Sequence, residues 1–182
     1  MCIREVLGFG LCFAALYYFL QDELFTLWLA ITLSLIFVIS WLDWHYQLIS
    51  PTPCLFLFFL GLFGAHQEFS ILTISQSLES AVSFFSVFYI IYHLSKWFYN
   101  KEALGRGDYW LALGIGAYLT IEHLPLFLFI ACLLGIMAYW ISRKPVLPFA
   151  PFLCLSLIIT SAINYKCNIL ATLKSIMFKE WM

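Results

Sequence analysis

The sequence predicts an all-α protein, a polytopic membrane bundle of about seven transmembrane helices. Three observations carry this. Of the 182 residues 64% are hydrophobic and 10% charged, whereas a soluble domain is about 45–50% apolar. Mean hydropathy is +0.95. The apolar residues fall into long runs parted by short polar links, and the basic residues gather in alternate links. The length allows one membrane domain, 1–165, followed by a tail, 166–182. A net charge of −1 with no basic patch argues against a nucleic-acid partner.

The first span is read over 2–20, with Arg4 and Glu5 at its start. No small-residue cleavage site follows it, so it reads as a retained anchor. Asp22 and Glu23 form a short acidic turn. The second span is 24–42, and Asp43 follows it directly. Pro51 and Pro53 suit the first turn of a third span over 53–65, because a missing N–H costs little there. A mixed polar loop over 66–79 leads to the fourth span, 80–98.

The fifth span, 109–121, is preceded by Gly105-Arg106-Gly107-Asp108. Glycine can take φ > 0 and lets another backbone come close, so this stretch reads as a tight turn presenting one acid at a helix start. Gly114 and Gly116 permit close helix contact. Glu122 and His123 make a turn, Pro125 starts the sixth span over 124–141, and the seventh is 149–163. In the tail Ile169, Leu170, Leu173, Ile176, Met177 and Trp181 share one helical face, as in an amphipathic helix on a membrane surface.

Seven spans put alternate links on opposite sides. One side carries Arg4, Lys96, Lys101, Arg106, Arg143 and Lys144. The short links opposite carry only acids, Asp22, Glu23, Glu68, Glu79 and Glu122, although Lys166, Lys174 and Lys179 follow the last span there. Basic residues stay in the cytoplasm, so the N-terminus is expected there. Asp43 and Asp108 then lie at the same cytoplasmic face, 65 residues apart in sequence.

An acid at the end of a membrane helix is a functional candidate by default. The stretch 108–121 makes roughly 21 Å of helix at about 1.5 Å per residue, against a hydrocarbon core about 30 Å thick. Asp108 is therefore expected in a recessed, water-reachable cleft shared with Asp43. Neighbouring carboxylates cannot both ionise easily, so they share a proton. The ionised member activates water and the protonated one polarises a scissile carbonyl, as in aspartic proteases.

These residues resemble the type IV prepilin peptidases, intramembrane aspartic proteases with a Gly-x-Gly-Asp motif. Lys101–Gly116, KEALGRGDYWLALGIG, follows that family's lysine-glutamate-x-x-glycine-x-glycine-aspartate run. Cys2–Glu5, CIRE, resembles its helix start through Glu5, and Leu147–Leu153, LPFAPFL, resembles its segment before the final span. The resemblance implies a bacterial inner-membrane endopeptidase that removes the leader of type IV prepilins or pseudopilins at the cytoplasmic face, in pilus formation, type II secretion or DNA uptake. By matching position Asp43 and Asp108 are the catalytic pair, and Gly105 and Gly107 shape the loop of the second.

The chain departs from the family at Ser50-Pro51, at Ala150 in place of a glycine, and in a fourth span without the family's glycines. These bear on activity more than on fold. Many members carry an insert with two C-x-x-C pairs ahead of the first helix. Without such a pair here, cleavage is expected and N-methylation is not. The alternative is a catalytically degenerate relative that binds prepilins or assists assembly.

His45 and Arg106 are candidates to tune the acids, Arg106 alternatively pairing with Glu102. Trp44, Tyr46, Trp97, Tyr99, Tyr109 and Trp110 fit an interfacial aromatic belt. The six cysteines form no metal-type spacing, so buried reduced thiols are expected, with no metal and no cofactor. Lipid and the prepilin are the expected partners. The chain shows no internal repeat of the transporter type.

Overall fold

The computed structural model describes residues 22–99, 105–142 and 148–179. The first span predicted over 2–20 lies outside the described residues, as do Lys101, Glu102, Arg143 and Lys144. Six α-helices follow: α1 (Glu23–Tyr46), α2 (Pro51–His66), α3 (Ile74–Tyr99), α4 (Asp108–Gly116), α5 (Leu124–Ser142) and α6 (Ala150–Lys179), with a 3₁₀ turn at Ile121–His123 before α5. Among the described residues there is no strand. The predicted helical membrane bundle is what the chain forms. α1, α3 and the stretch Ile121–Ile141 are long and apolar enough to cross a membrane, while α2 and Ala150–Tyr165 are shorter apolar helices.

Each helix begins for a local reason. Asp22 caps α1 by accepting from Phe25 N–H at 3.5 Å, with Glu23 in the first turn. Pro51 and Pro53 open α2, so it starts two residues earlier than expected. α3 also starts early, at Ile74, because Thr73 and Gln76 exchange a reciprocal pair of backbone-to-side-chain bonds of 3.1 and 3.4 Å at its start. α1 runs on to Tyr46, so Asp43 sits inside its last turn rather than after it. α6 continues through Lys179, and the side chains beyond residue 165, including the tail's predicted apolar face, lie outside the described ones.

The largest difference from expectation is at α4. Its helix has 9 residues and ends at Gly116, not at 121. At about 1.5 Å per residue that is roughly 14 Å, less than half of a hydrocarbon core about 30 Å thick. The chain then turns over 117–120. Exposed carbonyls there would be costly in lipid, but protein donors reach them. Ser77 Oγ donates to Ala117 O at 2.8 Å, and Ser80 Oγ donates to Leu119 O. Both serines are buried on the first turns of α3.

α4 is wedged against α3 and α2, and touches α6. Glycines make this contact close. A Cβ on Gly114 would stand 2.9 Å from Cys54 O, and one on Gly116 would stand 2.7 Å from Ala81 Cα. Leu111, Ala112 and Ile115 of α4 pack with Leu57, Phe84, Phe88, Phe127 and Leu153 in the buried core. Lipid tails are as apolar as these side chains, so the gain lies in van der Waals fit rather than escape from water. α1 packs on α2 and α6, and α5 packs on α6. The arrangement leaves α4 central and its N-terminal end, at Asp108, facing the ends of its neighbours.

Candidate active site

Asp108 is the first residue of α4 and Asp43 lies in the last turn of α1. Both side chains are buried, 3% and 5% exposed. They lie within electrostatic range of each other. The structure therefore brings together the two acids that the sequence placed on one face of the membrane.

Asp108 is held by its own loop. Its N–H donates to Gly105 O at 3.1 Å, and Gly105 N–H donates to its Oδ2 at 2.9 Å. This reciprocal pair closes a turn over 105–108. No described glycine has positive φ, and Gly107 sits at φ −81°. Of the two freedoms glycine offers, a left-handed backbone and close approach, the turn uses the second. The glycines supply space. A Cβ on Gly107 would fall 2.2 Å from Ile49 Cβ and 3.0 Å from Ile49 O, and one on Gly105 would lie 3.3 Å from Asp108 Oδ2. Gly107 thus lets the loop that follows α1 come against the loop that starts α4.

Asp43 is held from a different quarter. Ala150 N–H, at the start of α6, donates to Asp43 Oδ2 at 3.0 Å across 107 residues of sequence. Each acid thus has its Oδ2 fixed by a main-chain N–H. Among the described residues no donor bonds the second oxygen of either acid.

The acid of α4 is recessed. The Tyr109 ring packs against Phe85, Tyr89 and Tyr92 of α3 at 5.6, 5.8 and 5.8 Å between centroids. α3 continues seven residues past Tyr92 to Tyr99, about 10 Å beyond this level. Tyr109 and Trp110 are half-buried against Phe85 of α3, whereas Trp44 and Tyr46 are exposed.

The other predicted residues fall as follows. His45 is exposed, its Nδ1 bonds Trp41 O at 3.0 Å, and its ring packs on Trp41 at 4.3 Å. Arg106 is exposed in the turn over 105–108, and Glu102, its alternative partner, lies outside the described residues. Cys54 and Cys154 are buried free thiols beside the pair, Cys54 within electrostatic range of Asp108 and Cys154 of both acids. Among the described residues no group of three or more His, Cys, Asp or Glu is arranged to hold a metal ion.

Three residues at the site were not singled out from sequence: Ile49, Cys54 and Cys154. Ala150 was noted only as standing in place of the family's glycine. Ile49 and the Ala150 N–H act through packing and main chain, which leave no residue-type signal. What the site can do is share one proton between two acids whose outer oxygens are held still.

A model of the type IV leader peptidase family matches residues 29–141. The chain is 52% identical over 165 residues to a prepilin leader peptidase/N-methyltransferase of Haemophilus influenzae, covering 90% of this chain and 72% of that one. It is 28% identical over 140 residues to a protein of the same description from Legionella pneumophila, covering 73% of this chain and 46% of that one. No solved structure matches. Asp43 and Asp108 both lie inside the matched region.

Proposed function

Because the chain belongs to the type IV leader peptidase family, we propose that it cleaves the leader from type IV prepilins or pseudopilins by an aspartic mechanism. One observation carries the mechanism. Asp43 and Asp108, from helices far apart in sequence, meet as a buried pair with one oxygen of each fixed by a main-chain N–H.

In this reading a water sits between the free oxygens. The ionised acid takes a proton from the water as it attacks the scissile carbonyl carbon. The protonated acid donates to the carbonyl oxygen, and the tetrahedral diol then collapses as the first acid passes its proton to the leaving amine and the second takes one back from a hydroxyl. The pair titrates as a unit, and the main-chain donors cost no reorganisation during reaction. We assign the acid pair to cleavage, since two acids supply hydrolysis.

The location proposed is the bacterial inner membrane, with the N-terminus and both acids at the cytoplasmic side. The charge asymmetry of the loops supports this. The recess of Asp108 below the end of α3 supports a cleft that an extended segment of substrate enters from that side.

Coexpression with a tagged prepilin, in a bacterium lacking its own leader peptidase, tests the proposal by gel and N-terminal sequencing. The wild type is expected to give leaderless product, and Asp43→Asn and Asp108→Asn to give none. Cleavage retained by either variant overturns the aspartic pair. Absence of cleavage by the folded wild type across a panel of prepilins and pseudopilins favours a non-catalytic binder.

A further inference from the structure

The first turn of α6 leaves one main-chain donor free, and Asp43 takes it. A helix start has four N–H groups without intrahelical partners. In α6, Phe152 and Leu153 N–H both turn back to Phe149 O at 3.1 and 3.2 Å, and Pro151 has no N–H. Ala150 N–H remains, and it points at Asp43 Oδ2, 3.0 Å away in a buried setting. Ala150 is itself fully buried, so water does not compete for the bond.

We propose that Ala150 is a positioning residue, whose main-chain N–H orients the Asp43 carboxylate for the reaction. This rests on the reading of Asp43 as one of two catalytic acids. The bond does three things. It restrains the χ2 rotation of Asp43. It reserves Oδ2, so that Oδ1 is the oxygen that meets water and Asp108. It also sets the N-terminal end of α6 against the acid. The same bond caps α6, so a purely structural role is the rival reading.

The test removes the N–H and keeps the shape. Lactic acid placed at position 150 by nonsense suppression replaces the amide with an ester. Ala150→Pro removes the same N–H but sets its ring carbon against Asp43 Oδ2, so the ester carries the test. Ala150→Gly keeps it. Each is assayed for kcat and KM on a prepilin in membranes, with Asp43→Asn and Asp108→Asn alongside.

A hydrogen bond to a charged group sets the expected loss at roughly tenfold to a hundredfold. It is expected in kcat, with KM unchanged, for the ester and for Ala150→Pro, while Ala150→Gly retains wild-type kcat. Wild-type kcat in the ester form overturns the proposal. So does an equal loss in all three variants, since glycine keeps the N–H and the loss then reports any disturbance of the helix start. If Asp43→Asn remains active, the reading of the acid pair fails instead, and the two failures are told apart.

Discussion

At the scale of single residues, the site is built from side chains that the sequence advertises and main-chain groups that it does not. Gly107 shows the difference. Its φ of −81° is open to any residue, so its need is spatial and directed at one neighbour. In Gly107→Ala the new Cβ meets Ile49 Cβ at 2.2 Å. Overpacking of this kind costs about 1–3 kcal/mol, and here the strain falls on the loop that carries Asp108. Gly107→Ala is expected to lower cleavage by at least about tenfold, the equivalent of about 1.4 kcal/mol. Gly105→Ala meets only Asp108 Oδ2, at 3.3 Å, and is expected to do less. Adding Ile49→Gly to Gly107→Ala is expected to recover part of the loss. Equal damage from both alanines, measured as cleavage rates in membranes, would remove Ile49 from the explanation. The two acids stand out in the sequence because carboxylates beside apolar runs are rare. The glycines were legible as a motif that permits close approach, but their partner was not, since Ile49 stands 58 positions away.

At the scale of elements, the span boundaries were legible wherever a proline, an acid or a charge marks them. α1 and α5 match the expected spans to within a few residues. α4 was not legible as a short helix. Its apolar run continues past Gly116 through Ala117, Leu119 and Ile121, and hydropathy cannot tell helix from a turn whose carbonyls are bonded by another element. Ser77 and Ser80 supply those bonds from about 40 residues upstream. Losing a partner leaves a buried carbonyl unsatisfied, at about 1–3 kcal/mol each. Ser77→Ala and Ser80→Ala are each expected to lower the thermal midpoint of the detergent-solubilised protein, and the double variant to lower it further. Ser83→Ala and Ser86→Ala, whose hydroxyls bond only their own helix on an exposed face, serve as controls. If all four variants melt alike, the turn does not depend on its serine donors.

At the scale of the whole molecule, the fold converts two distant acids into one site at a single depth. α1 delivers Asp43 near its end, α6 starts at the same level to hold it, and α4 starts about 10 Å inside the end of α3 to bring Asp108 there. Charge asymmetry supports the proposal that this level lies at the cytoplasmic side. In a cysteine-free background, Asp43→Cys and Asp108→Cys are expected to react with an impermeant maleimide in inverted vesicles and not in right-side-out ones. Both are expected to react more slowly than Gln47→Cys, whose parent residue is exposed at the end of α1. The double cysteine variant is expected to crosslink internally with a short bifunctional maleimide, as is a Ser77→Cys, Ala117→Cys pair, whose parent residues are joined by a 2.8 Å bond at the other end of α4. Crosslinking of the control pair without the acid pair would separate the acids and remove the shared proton. Labelling of the two positions from opposite faces would break the topology on which a single cleft depends. Labelling of both from the outer face would keep the pair and invert the orientation, moving cleavage to the other side of the membrane.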